Sequence, residues 1–174
     1  MADGDRGAPA GEVHDWFRRS RELLDRGDAG ASLILIDRVL DADPTSWAAI
    51  EIRARALFDS QEFEQAAEEF ERITQARPDD DYAHYGLGMS LWRLQRFPES
   101  ADHLALASVM KPHDERYTRA LTQVRATLKA RAEADLPLSG PIAPTDDTEQ
   151  APINPIMPGT LIDDVWPPSE GDAG

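Results

Sequence analysis

Four histidines, a run of three aspartates and one Gly-x-Gly step are the residues of this 174-residue chain whose types could do chemistry. Imidazole titrates near neutral pH and ligates metals, and clustered carboxylates hold divalent cations. The spacing argues against each use. His14, His84, His103 and His113 are scattered along the chain, and no two of them stand at a metal-ligand interval. Asp102 and His103 are adjacent, and adjacent residues on a helix point apart. These histidines read as polar surface or groove residues rather than catalysts. Asp79-Asp80-Asp81 falls just before a helical pattern, where acidic side chains cap the helix and favour its positive dipole end. Gly86-Leu87-Gly88 has no preceding strand, so it reads as mid-helix packing rather than a phosphate loop. Cysteine is absent, which removes thiol catalysis, disulfides and thiolate metal sites. With no nucleophile–base pair in view, the expectation is a protein that is not an enzyme and holds no metal or cofactor.

The elements that carry these residues recur. Pro44, Pro78 and Pro112 stand 34 residues apart, a period that belongs to helical solenoids. Twelve residues before each proline is a small residue, Ser32, Ala66 or Ser100. Four further on comes a large apolar one, Ile36, Phe70 or Leu104, then Val39, Ile73 or Ala107. That i, i+4, i+7 series makes one buried stripe per helix, and the small residue lets a partner helix approach closely. Gly27-Asp28, Ser60 to Phe63 and Gln95 to Phe97 read as tight turns between helices, with Pro98 at a helix start.

From Val13 to Pro112 these residues resemble the tetratricopeptide repeat (TPR) family. The third repeat carries Leu87-Gly88, Leu91, Phe97, Ser100, Leu104, Ala107 and Pro112; the second carries Leu57, Phe63, Ala66, Phe70 and Pro78. The first keeps Trp16, Leu23, Ser32, Ile36 and Pro44 but has Arg19-Ser20 where the family prefers Leu-Gly. The resemblance implies an all-α fold, a right-handed α-solenoid of three helix-turn-helix units over about 13–46, 47–80 and 81–114. A capping helix over about 114–134 completes a domain spanning 12–134. Tyr117, Ala120, Leu121, Val124 and Leu128 give that helix its apolar face, and Asp114 is a fair N-cap.

The resemblance also implies a function, protein–protein interaction, and a place for it: the concave groove lined by the first helix of each repeat. The groove residues it implies are Phe17, Arg18 and Arg21 on the first such helix and Arg55 and Phe58 on the second. Tyr82, Tyr85, Met89, Trp92 and Arg93 follow on the third, and Arg119 on the cap. Glu51, Asp25 and Asp59 occupy further groove positions. Arginines interleaved with aromatics suit an extended, acidic and partly apolar peptide. The alternative is that Phe17, Phe58 and Tyr82 only pack between helices while the arginines solvate the surface. The subclass of TPR domains that clamps a C-terminal carboxylate uses positions held here by Phe17, Arg21, Ile52, Tyr82 and Gly86, of which only Arg21 is a charged donor. A carboxylate-clamp co-chaperone is therefore not expected.

The ends differ from the array. Residues 1–11 are polar and expected to be disordered, and no apolar run reaches membrane-spanning length, so the expected location is cytoplasmic. Enrichment in Ala, Arg, Asp and Pro suggests a bacterial source. Residues 135–174 contain eight of the thirteen prolines and no Lys or Arg, and form an expected disordered acidic tail. Within it Leu161, Ile162, Asp163, Asp164, Val165 and Trp166 are either chance hydrophobes or a short motif that docks on a partner or on the chain's own groove. The net charge of −15 disfavours nucleic acid. Self-association through the weak first repeat and Trp47 is the remaining alternative to an adaptor.

Overall fold

The computed structural model describes residues 10–142. Its helices are α1 (Ala10–Asp25), α2 (Ala29–Ala42), α3 (Trp47–Asp59), α4 (Phe63–Ala76), α5 (Asp81–Arg93), α6 (Phe97–Met110) and α7 (Glu115–Glu133). No strand occurs among the described residues. Each helix packs on its successor, while α1, α3, α5 and α7 also touch in turn, so the first helices of the repeats form one continuous face. The all-α helical repeat read from the proline period is the architecture found. The tail motif Leu161–Trp166 lies outside the described residues. Ala10 and Gly11, assigned above to a disordered N-terminus, belong to α1.

Local chemistry explains where helices begin and end. The carboxylates of Asp28, Asp80 and Asp114 accept the amide protons of Ala31, Ala83 and Arg116, capping α2, α5 and α7. Asp80 and Asp81 thus give the aspartate run its role, one as cap and one as a first-turn charge. Helices α1, α3 and α5 end in the same way. Gly27, Gln61 and Gln95 occupy the left-handed region (φ 82°, 64° and 59°), and their amides donate to the carbonyls of Leu24, Phe58 and Trp92. The next amide reaches back to Leu23, Leu57 and Leu91, which completes a Schellman cap in every repeat.

The stripe residues Ile36, Phe70, Leu104, Ile73 and Ala107 have no exposed surface, and Val39 almost none. Ser32, Ala66 and Ser100 are likewise sealed, and close approach is visible around them. Ser100 donates to the Gly88 carbonyl at 2.7 Å, and the Ser20 and Ser32 hydroxyls meet at 2.8 Å. A Cβ on Gly86 would lie 2.4 Å from the Phe70 ring, and one on Gly88 2.7 Å from Leu104. Both glycines therefore serve packing, as their mid-helix position implied.

Helix α7 closes the array by burying Tyr117, Ala120, Leu121 and Val124. The boundary expected at Asp135 falls elsewhere, because the chain turns back after α7. One Arg131 nitrogen donates to the carbonyls of Pro137 (2.7 Å) and Gly140 (2.9 Å), with its guanidinium 4.7 Å from the Phe97 ring centroid. The Gly140 amide then donates to the Gln95 carbonyl at 3.0 Å. Three hydrogen bonds and a cation–π contact hold residues that composition alone assigned to the tail.

Candidate peptide-binding groove

The continuous face of α1, α3, α5 and α7 brings equivalent repeat positions into rows. One row reads Phe17, Glu51, Tyr85, Arg119; the next reads Arg21, Arg55, Met89, Gln123; a third reads Leu24, Phe58, Trp92. Not all of these side chains remain open. Phe58 is 4% exposed with its ring edge-on to Phe63, and Tyr85 is 3% exposed and stacked on Tyr117 at 4.7 Å. Met89 is 5% exposed. These three spend their area on helix–helix packing, so the packing alternative describes them better than ligand contact. Phe17 packs against the first-repeat core yet stays half-buried, as do Tyr82, edge-on to Phe70, and Trp92.

The arginines divide in the same manner. Arg55 is buried, paired with Asp25 at 3.2 Å and with Asp59 at 4.0 Å. Arg18 lies on the surface between Asp15 and Glu22 of its own helix, and Arg119 pairs with Glu115 at 3.8 Å. Arg116 is held by Asp114, whose carboxyl that hydrogen bond pulls below its ordinary range. Arg93 differs from all of these. Its guanidinium sits 4.3 Å from the Phe63 ring centroid with no carboxylate partner among the described residues, and burial lowers its basicity. Arg21, half-buried on α1, likewise has no ion pair there.

Glu51 is the residue whose importance the sequence understated. It is half-buried between Phe17 and Tyr85 in its row. Burial first, and then the charge of Asp80, push its carboxyl up to about 7, against the pull of Arg77 and Arg55. Burial also raises the Tyr82 and Tyr85 hydroxyls, the latter to about 12. Tyr117 donates to Asp81 at 2.8 Å, fixing the aromatic stack beneath this end of the face. A signal was present in the sequence, an acid beside arginines at a lining position, but its lack of a partner among the described residues is a tertiary fact.

His14 and His113 are exposed, as expected, but His84 is placed differently. His84 is 6% exposed and buried between α5 and α6, not on the surface or in the groove. The Pro78 carbonyl, 3.0 Å away, can only accept, so Nε2 of His84 carries a proton. Its Nδ1 meets the Nδ1 of His103, also at 3.0 Å, and in the neutral ring is the acceptor of that contact. Burial and the neighbouring His84 depress the His103 pKa. Close by, a cleft of about 180 Å³ between α4 and α6 has a leucine floor (Leu87, Leu91, Leu94) and a rim of exposed Glu64, Glu68, Glu71 and Glu99. Among the described residues no group of three His, Asp or Glu is placed to hold a metal ion, and no helix is long and apolar enough to cross a membrane.

A protein-family model described as tetratricopeptide repeat matches residues 17–73 and again 53–115. Together with the repeated helix pairs, that makes the chain a member of the tetratricopeptide repeat family, whose domains are protein-interaction modules. No curated protein gives a significant match over the sequence. Among solved structures, the first TPR domain of Spaghetti (RPAP3), bound to the HSP90 peptide SRMEEVD, superposes with a TM-score of 0.64 at 16% identity. That match covers 72% of this chain and 99% of the other. MamA from Desulfovibrio magneticus RS-1 gives 0.66 at 18%, covering 72% and 71%. The second TPR domain of human RPAP3, in complex with the HSP70 peptide SGPTIEEVD, gives 0.61 at 15%, covering 68% and 98%. At these identities the likeness is one of fold.

Proposed function

We propose that this protein is a non-enzymatic adaptor that binds an extended, acidic and partly apolar peptide along the face of α1, α3, α5 and α7. The observation that carries the reading is Arg93, a guanidinium with no carboxylate partner among the described residues, laid on the Phe63 ring beside the half-buried Trp92. A cation already partly desolvated and pre-oriented gains most from an incoming carboxylate, and an indole beside it supplies apolar contact area. Arg21 offers a second unpaired cation on α1. The similar RPAP3 domains are bound to peptides ending in acidic residues, yet the clamp positions here hold Phe17, Ile52, Tyr82 and Gly86 around Arg21. The peptide is therefore recognised along its length rather than by its terminal carboxylate. Composition favours a bacterial, cytoplasmic setting.

The chain's own segment Leu161–Trp166 is a competing ligand in this reading. Gly140 is anchored beside the α5–α6 turn, at the end of the face where Trp92 and Arg93 stand. About 20 residues then precede Leu161; a random coil of that length would span roughly 25 Å, enough for the segment to reach the face at an effective concentration on the order of millimolar. Affinity capture from a cell extract, comparing the full chain with Trp92→Ala, Arg93→Ala and a chain ending at Gly140, tests both parts. Loss of captured partners in the two substitutions, and a gain on truncation, are expected. The same partners retained by all four proteins would remove the groove and the tail from recognition.

A further inference from the structure

Glu51 is the groove carboxylate that has no partner among the described residues. It is half-buried on α3 and forms no hydrogen bond or ion pair among the described residues. The two guanidinium groups whose fields favour its charge are committed elsewhere, Arg55 to Asp25 and Arg77 to Asp80 at 3.0 Å. A carboxyl removed from water without a donor is costly, and a ligand that supplies the donor recovers that cost. The helices of the face also differ in the charge they leave uncompensated, although these residues lie at different repeat positions. Among the described residues Arg21 on α1 and Arg93 on α5 have no ion pair, and Glu51 belongs to α3, the helix that lies between those two.

Building on the groove reading above, we propose that Glu51 is the receptor for one basic side chain, Lys or Arg, in an otherwise acidic and apolar peptide. The ligand then presents acid, base, acid to α1, α3 and α5. Such a requirement separates an external partner from the chain's own tail. Residues 135–174 contain no Lys or Arg, so the tail can satisfy Arg93 but leaves Glu51 empty. A partner carrying the base gains a contact that the tail cannot make, and this is how it displaces the tail despite the tail's tethered concentration.

The contact also gives binding a pH dependence. The groups facing Glu51 are Arg55 on its own helix, Arg77 at the end of α4, and Asp80, Asp81 and Tyr82 at the start of α5. Phe17 is the matching residue of α1. With the carboxyl titrating near 7, the ionised fraction rises from about one tenth at pH 6 to about nine tenths at pH 8, so affinity for a peptide bearing the base rises about tenfold over that range.

The test pans the full-length protein, wild type and Glu51→Gln, against a display library of random linear dodecapeptides at pH 8. Wild type is expected to enrich acidic and apolar positions around one fixed Lys or Arg. Glu51→Gln is expected to keep the frame and lose the basic position. The selected peptide should bind wild type about tenfold more weakly at pH 6 than at pH 8, with no such change for Glu51→Gln. A consensus with no basic position, a basic position that survives Glu51→Gln, or pH-independent binding overturns the receptor role and leaves the groove reading intact. Selection of no sequence by wild type overturns both, and a consensus unchanged by Arg93→Ala overturns the groove reading itself.

Discussion

Helices α3 and α5 occupy the same place in successive repeats, yet they solve packing and recognition in opposite ways. On α3 the residue over the preceding second helix is Ile52, which joins Ile36 in the first core cluster. On α5 the equivalent residue is Gly86, and the volume is supplied instead by Phe70, whose ring fills the space a Cβ would need. The lining differs as well. The α3 surface is charged and largely compensated, with Arg55 tied to Asp25 and Asp59, while Glu51 has no hydrogen bond or ion pair among the described residues. The α5 surface is aromatic, with Arg93 left uncompensated on Phe63. Conserved volume with exchanged partners keeps the solenoid regular, while exchanged surface chemistry gives each repeat a distinct contact to offer.

The exchange of volume is broken most severely at Gly86. Gly86→Ala forces a methyl into the Phe70 ring and should cost about 3 kcal/mol in denaturant unfolding. Phe70→Leu introduced with it should recover much of that loss, because the two positions share one space. Additive destabilisation in the double variant would refute the exchange.

The contrast in charge is sharpened by Glu51→Gln. The folded-state pKa near 7 lies above the ordinary value of 4.5, so the folded protein holds this proton more tightly than the unfolded chain. The cost of charging Glu51 is absent below about pH 4.5, grows as pH rises, and is fully present above about 7. Glu51→Gln should therefore stabilise the protein by about 2 kcal/mol at pH 8, and the gain should vanish by pH 4. Chemical denaturation at both pH values checks the sign; a destabilised variant at pH 8 would mean that Glu51 has a partner.

The smallest effect belongs to a feature in which the repeats agree. Gln61 and Gln95 hold the left-handed conformation that Gly27 holds in the first repeat. Gln61→Gly should raise stability by about 0.5 kcal/mol, since relief of the left-handed strain exceeds the added chain entropy, whereas Gly27→Ala should lower it by about 1 kcal/mol. Thermal unfolding of the two variants, shifted in opposite directions, is the expected result.

Sequence periodicity carried the helices and the second-helix stripe because both depend on spacing along one chain. Ile36, Phe70 and Leu104 were recognisable as core for that reason, as was the capping role of the aspartates. What escaped depends on geometry between helices. Asp25 reaches Arg55 across thirty residues, which no local pattern announces, and so a groove arginine was neutralised unseen. Tyr85 and Met89 look like ligand contacts by position, but the stack on Tyr117 and the depth of the face close them off. His84 is polar by type and buried by circumstance, because Pro78 and His103 satisfy both ring nitrogens. Proline content pointed to a tail beginning at Asp135, and a single arginine drew the next residues back onto the fold.

That arginine also decides how the protein bears load. A pull on the chain beyond Gly140 would not act first on the last turn of α7. The force enters at Gly140 and divides between the Arg131 guanidinium, braced on Phe97, and the Gln95 carbonyl in the α5–α6 turn. Tension would then be shared among α5, α6 and α7 and reach the third repeat from its side rather than unzip the solenoid from its end.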